Sequence, residues 1–217
     1  MPISHHEVLL RMIGEDGEIV PPMSFIPVAE RYDLMPEIDF WVVENFLRYC
    51  AQKRRQSSLG RYTINLSGAS INKPKFVDGL EEMLRRSSVP CEVICFEITE
   101  TAAIANLTSA AKSIRQLKNL GCQFALDDFG SGMSSLAYLK HLPVDYLKID
   151  GSFVRNIHRD PVDRAMVESC NHIAHVMGLK TIAEYVENQR ILQVLREIGV
   201  DYAQGDAVAE PHLLFID

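Results

Sequence analysis

FALDDFGSGMSSL, residues 124–136, carries a hydrophobic run into two adjacent carboxylates, Asp127 and Asp128, and then into a glycine-punctuated loop. The apolar run reads as a buried strand, yet neighbouring carboxylates repel, and a charge taken out of water is costly unless something compensates it. A divalent cation, or a pair of them, would remove that conflict. Whether the rest of the chain is built to supply such a site decides the fold.

Outward from this stretch the pattern switches repeatedly between short strand-like runs and longer helical ones. The predicted strands are 6–12, 62–67, 92–98, 122–127, 145–150, 179–184 and 201–205. Between them the predicted helices are 24–33, 37–55, 75–87, 106–119, 133–140, 161–177 and 188–198. Gly121, Gly178 and Gly199 stand where helices end before the next strand, as C-terminal caps do. The strands are rich in Val, Ile and Leu on both faces, as in a parallel sheet buried on both sides. No linker or composition shift divides the chain, so residues 1–217 read as a single domain.

Strand–helix alternation of this kind gives an open doubly wound sheet or a closed barrel. The polar residues choose between them. Asn65, Glu97, Asp127, Asp128, Lys148, Glu184 and Gln204 each sit at or just past the apolar run of a strand, and Glu7 lies in the first such run. An open sheet gathers its site at one switch point, whereas a barrel collects one contribution per strand at its carboxyl face. The expected fold is therefore a TIM-like (β/α)8 barrel. Seven strands are legible, where a closed barrel of this type needs eight.

Around one mouth, Glu7, Asn65, Glu97, Asp127, Asp128 and Glu184 make a set of hard oxygen donors that suits Mg2+ or Mn2+ rather than zinc. Two such ions about 3.5–4 Å apart activate a water for in-line attack on a phosphodiester. Lys148 would orient that water or meet developing negative charge. Taken singly, each carboxylate has a plainer explanation as a helix cap or loop hydrogen-bonder, Lys148 as an ion-pair partner, and Asn65 as a turn residue. Those explanations would have to hold at nearly every strand end at once. Asp128-Phe129-Gly130 also spells the kinase D-F-G, but the glycine-rich loop, V-A-I-K strand and H-R-D loop that should accompany it are missing.

Composition sets the remaining bounds. A hydrophobic fraction of 47% and a charged fraction of 24% are those of an ordinary globular chain. The net charge of −7 argues against binding DNA or RNA non-specifically. No stretch is long and apolar enough to span a membrane, and the start shows no signal-peptide pattern. Five cysteines without a C-x-x-C pair fit a reducing compartment and plain core packing. His172 and His175 share a helix spaced three apart, but apolar neighbours make helix-face packing the expectation there.

Several segments together resemble the EAL domain, a bacterial cyclic di-GMP phosphodiesterase module. They are EVLLR (7–11), Pro22 with FIPVAE (25–30), INLSG (64–68), FEITET (96–101), DDFGSGMSSL (127–136), YLKID (146–150), AEYVE (183–187) and QG (204–205). The resemblance implies hydrolysis of cyclic di-GMP to linear pGpG, with calcium inhibitory. It implies one metal on Glu7, Asn65, Glu97 and Asp127, and a second on Asp127, Asp128 and Glu184. It implies that Lys148 contacts the nucleophilic water, Gln204 positions water or substrate, and Arg11 contacts the substrate phosphates. Glu100 would anchor the loop 129–135, which in the family couples dimerisation to metal binding. A homodimer, flanking sensory or GGDEF domains, and a cytoplasmic location are implied as well. The chain departs from the family pattern at Val8, Tyr185, Asp206 and Glu210, and only six residues precede Glu7, so the resemblance implies a (β/α)8 barrel that lacks the family's first strand, which lies upstream of Glu7. A catalytically silent cyclic di-GMP receptor or protein-interaction module is the alternative, and a different metal phosphodiesterase on the same barrel is a more remote one.

Overall fold

The computed structural model describes residues 5–53, 60–130 and 136–214. Seven parallel strands form one curled sheet: β1 (His5–Val8), β4 (Arg61–Asn65), β5 (Ile94–Thr99), β6 (Gln123–Phe129), β7 (Tyr146–Ile149), β8 (Lys180–Ala183) and β9 (Tyr202–Ala203), paired in that order. The connections carry α1 (Pro22–Arg31), α2 (Met35–Lys53), α3 (Gly68–Ile71), α4 (Pro74–Arg86), α5 (Glu100–Ala105), α6 (Leu107–Lys118), α7 (Gly151–Val154), α8 (Pro161–Val176) and α9 (Gln189–Ile198). Short 3-10 segments precede β5 (Cys91–Val93) and β7 (Leu136–His141).

The first predicted strand, 6–12, is corrected. Only His5–Val8 joins the sheet, and Met12–Ile13 pairs instead with Ile19–Val20 as a separate antiparallel hairpin, β2–β3. The intervening GEDG turns the chain back, closed by Gly14 N–H donating to Glu18 O at 2.8 Å. The predicted helix 133–140 becomes the 3-10 segment from Leu136, and positions 133–135 lie outside the described residues, as do the last two positions of predicted helix 37–55. The short helices α3, α5 and α7 escape periodicity because four to six residues are too few to show it.

The strands alternate, apart from the end of β6. Ile94, Phe96 and Ile98 on β5, Phe124 and Leu126 on β6, and Leu147 and Ile149 on β7 pack outward against the helices, almost fully buried. The intervening Cys95, Ala125, Tyr146 and Ile182 form a small inner cluster under the curl. Both faces are buried as expected, but the inner face is not aliphatic throughout, because its carboxyl-terminal positions are Glu97, Asp127 and Lys148.

Gly121, Gly178 and Gly199 all adopt positive φ at helix ends, and Gly199 closes α9 as a left-handed cap. His172 and His175 are exposed rather than packed, because the buried stripe of α8 runs through Val167, Cys170, Asn171 and Ala174. His175 Nε2 instead meets Asp201 Oδ2 at 2.8 Å. No described helix is long and apolar enough to cross a membrane.

Among the described residues no backbone ladder joins β1 to β9, so the curl is closed by side chains. The His5 and Tyr202 rings lie 4.7 Å apart between centroids, and Gln204 Nε2 donates to Glu7 Oε2. Gln204 is set by the chain just after β9, where Gly205 passes against the 183–186 backbone with φ 146°. A Cβ at position 205 would lie 2.4 Å from Val186 N and 2.6 Å from Val186 O. Gly205→Ala is therefore expected to lower stability by about 1–3 kcal/mol, read as a lower urea midpoint with an unchanged m-value.

Candidate active site

The alternation that packs one face of every strand brings the other face's last residues together at the carboxyl end of the sheet. Register sets neighbours directly: Asn65 lies opposite Glu97, and Thr99 opposite Asp127. At the centre stands Lys148, only 1% exposed. Its Nζ lies 2.7 Å from Glu184 Oε1, 2.8 Å from Glu97 Oε2, 3.1 Å from Asp127 Oδ1 and 3.9 Å from Glu7 Oε2. The two oxygens of Glu7 are held from either side, one by Asn65 Nδ2 at 2.8 Å and the other by Gln204 Nε2. With its amide nitrogen so engaged, Asn65 keeps its carbonyl oxygen as its remaining acceptor.

The adjacency of Asp127 and Asp128 has a geometric answer. Neighbouring residues of a regular strand point to opposite faces. Here the β6–β7 register shifts between Leu126 and Phe129, and Asp128 adopts φ 56°, a left-handed conformation that aspartate tolerates better than most residues. The irregularity turns both carboxylates to one side. Asp127, Asp128 and Glu184 then offer one oxygen each, all within 4.8 Å of one another.

Burial and charge set the proton affinities. Burial pushes the Glu97 carboxyl up to about 8, with Glu7 and Asp127 adding to the effect and Lys148 opposing it. Burial likewise lifts Glu184 to about 7, against the pull of Lys148. Asp128 is raised by burial and then by Asp127. Burial works against the Lys148 charge, but Glu97, Asp127, Glu7 and Glu184 together hold the ammonium protonated well above its ordinary range.

These groups fit a divalent cation. Asp127 Oδ1 is buried and, among the described residues, accepts no hydrogen bond, while the Lys148 ammonium lies 3.1 Å away as an ion-pair partner. An oxygen left in that state, in a cluster of hard donors with more negative than positive groups, is what a cation satisfies.

The other predicted residues lie around this ring. Glu100, buried as the first residue of α5, accepts from Gly130 N–H at 3.2 Å and so touches the loop after β6, not the ring. Of the loop 129–135, positions 131–135 lie outside the described residues. Arg11 is exposed beyond β1, its guanidinium on Leu10 O at 2.8 Å. Asp39 was not anticipated. It sits on the buried stripe of α2 and accepts from Ser67 N–H at 2.9 Å, fixing the turn that follows Asn65. A carboxylate on an otherwise apolar helix face was its only signal in the sequence.

A family model described as the EAL domain matches residues 2–211. The cyclic di-GMP phosphodiesterase PdeF of Escherichia coli K12 is 40% identical over 210 residues, covering 97% of this chain and 28% of that protein. The cyclic di-GMP phosphodiesterase PdeB of Shewanella oneidensis is 44% identical over 208 residues, covering 96% of this chain and 24% of that protein. The chain thus spans well under a third of either relative. Among solved structures, the FimX EAL domain of Pseudomonas aeruginosa bound to c-di-GMP superposes with a TM-score of 0.87 at 31% identity, covering 94% of this chain and 82% of that one.

The raised carboxyls have a measurable consequence. Between about pH 4.5 and 8 the metal-free folded state holds protons on Glu97 and Glu184 that the unfolded chain has already released, so its stability falls as pH rises through that window. Differential scanning fluorimetry in chelator should show the midpoint dropping from pH 5 to 8, and Glu97→Gln should flatten the drop. Mn2+ must displace the same protons, so the stabilisation it gives should be larger at pH 8 than at pH 6.

Proposed function

The chain belongs to the EAL domain family, and from that membership we propose that it hydrolyses one phosphodiester of cyclic di-GMP, giving linear pGpG, at the carboxyl end of its sheet. The single observation that carries the reading is the ring of Glu7, Glu97, Asp127 and Glu184 around Lys148 Nζ. Its support from the comparisons is that relatives over nearly the whole chain are named cyclic di-GMP phosphodiesterases, and that a domain of the same fold binds c-di-GMP.

In this reading Glu7, Asn65, Glu97 and Asp127 hold one Mg2+ or Mn2+, and Asp127, Asp128 and Glu184 hold a second. Such ions supply a water nucleophile at neutral pH and draw charge from the phosphate oxygens. The chain's own residues do the rest. Asn65 and Gln204 fix Glu7 in one orientation from its two sides. Lys148, kept cationic by its carboxylate neighbours, would hold the attacking water and meet the negative charge that develops on the phosphate. Glu97 and Glu184 give up their protons when the cations enter. Arg11, beyond β1, reaches for the substrate phosphates. Glu100 acts at one remove, by holding Gly130 and hence the start of the loop after Asp128. The domain is taken to work as a homodimer in the cytoplasm, within a longer protein carrying sensory or GGDEF domains.

The test is incubation of the purified chain with cyclic di-GMP and Mg2+ or Mn2+, with pGpG followed by chromatography and a chelated control. Metal-dependent product supports the reading. Binding without product would favour a silent receptor instead. Asp127→Asn, which alters the carboxylate assigned to both ions, should lower turnover by more than about 100-fold, and retained activity would count against the shared-ligand assignment. Calcium, which prefers looser coordination at about 2.3–2.6 Å, should inhibit, and equal rates in Ca2+ and Mg2+ would contradict the site assignment. Glu100→Ala should raise the Mg2+ concentration needed for half-maximal rate by about 10–100-fold while leaving every ligand in place.

A further inference from the structure

At the opposite, amino-terminal end of the sheet two thiols come together. Cys91 opens the 3-10 turn that leads into β5, and Cys122 immediately precedes β6. The two strands are hydrogen-bonded neighbours with Cys95 opposite Gln123, so the segments just before them start side by side. Their closeness shows independently at the next residues, where a Cβ at Gly121 would lie 3.0 Å from Glu92 Oε1. The Cys91 and Cys122 thiols lie close enough for each to shift the proton affinity of the other. Cys122 is in the core, whereas Cys91 is the one half-exposed cysteine, and Cys50, Cys95 and Cys170 are buried.

We propose that Cys91 and Cys122 are a peroxide-sensitive thiol pair that closes into a reversible disulfide. The asymmetry of the pair assigns the roles. The Cys122 thiol draws the Cys91 thiol below its ordinary range, and Arg85 works the same way against burial and Glu92. Cys91 and then burial push the Cys122 thiol up. Cys91, the more exposed of the two, is therefore the thiol assigned to meet peroxide, as its thiolate. Its sulfur attacks one oxygen of a hydroperoxide, the O–O bond breaks, and Cys91 becomes a sulfenic acid while hydroxide leaves. Cys122 sulfur then attacks the Cys91 sulfur, the S–O bond breaks, and the hydroxyl leaves as water with the Cys122 proton. Two thiols are oxidised and one peroxide is reduced. The bridge would tie the amino ends of the two strands whose far ends carry Glu97 and Asp127. It does not depend on which reaction that far end performs. In a reducing compartment a disulfide of this kind is transient and suits redox sensing.

The experiment is to treat the folded chain with hydrogen peroxide, block free thiols under denaturing conditions, and map peptides without reduction. A peptide linked through Cys91 and Cys122, lost on adding dithiothreitol, is the expected product, with Cys50, Cys95 and Cys170 still alkylated. Cys122→Ser should leave a sulfenic acid on Cys91 that dimedone captures. Cys91→Ser, at the more exposed position and checked for folding by circular dichroism, should leave Cys122 reduced. Full alkylation of both thiols after peroxide would overturn the proposal. So would oxidation of Cys91 to the sulfinic acid without a link, or a disulfide that joins either cysteine to a different partner.

Discussion

Lys148 carries its ammonium to the middle of the carboxyl end of the sheet, 2.7 Å from Glu184 and 2.8 Å from Glu97, with almost no exposure of its own. A buried ammonium is unfavourable alone, and so is each carboxylate around it. Together they are tolerable, but not balanced, because Glu7, Glu97, Asp127, Asp128 and Glu184 outnumber the single cation. The excess appears as the raised proton affinities of Glu97 and Glu184 and as an Asp127 oxygen with no hydrogen bond among the described residues. A stable core would not be built this way for its own sake. The site is held in a state that further positive charge relieves, which is the electrostatic condition for binding a cation.

That condition is paid for by the outer face of the same strands. Ile64, Phe96, Phe124, Leu126, Leu147 and Ile149 are fully buried against the helices, and each is one residue away from an inner-face partner on its own strand. Period-two alternation therefore couples the hydrophobic layer to the site rigidly: the outer side chains fix strand register, and register decides which inner side chains meet. The one place where regular alternation would fail is Asp128, and there the β6 irregularity supplies the second adjacent carboxylate.

Much of this was legible in the sequence, for physical reasons that also explain what was not. Strands showed because their outer faces are continuous aliphatic stripes, and the site showed because each apolar run ended on a polar group. The inner face was misjudged as aliphatic, since Cys95, Ala125 and Tyr146 look apolar in a sequence but pack in a small separate cluster. The Met12–Ile13 hairpin was hidden because its residues continue the hydrophobic run of β1, and only Gly14 and Glu18 reveal the reversal. Asp39 and the Cys91–Cys122 pair were out of reach, because both depend on contacts between segments far apart in the chain.

The members of the site are held by two kinds of connection. Glu97, Asp127, Lys148 and Glu184 come from β5, β6, β7 and the end of β8, neighbouring strands joined by backbone pairing that slips only between Leu126 and Phe129. Glu7 comes from β1, laddered to β4, and Gln204 from the residue after β9, and β1 and β9 meet through side chains rather than through a described ladder. Backbone ladders move as a unit, whereas a seam held by one amide–carboxylate bond and a pair of rings gives way at lower cost. Asn65 links the two regimes, sitting on β4 in register with Glu97 while donating to Glu7. The half of the ring around Lys148 is thus set by the fold itself. Glu7 is tied to the same ladder through the β1–β4 pairing, whereas Gln204 reaches it only across the seam between β1 and β9, so control of the site through that seam would act first on the Gln204–Glu7 bond.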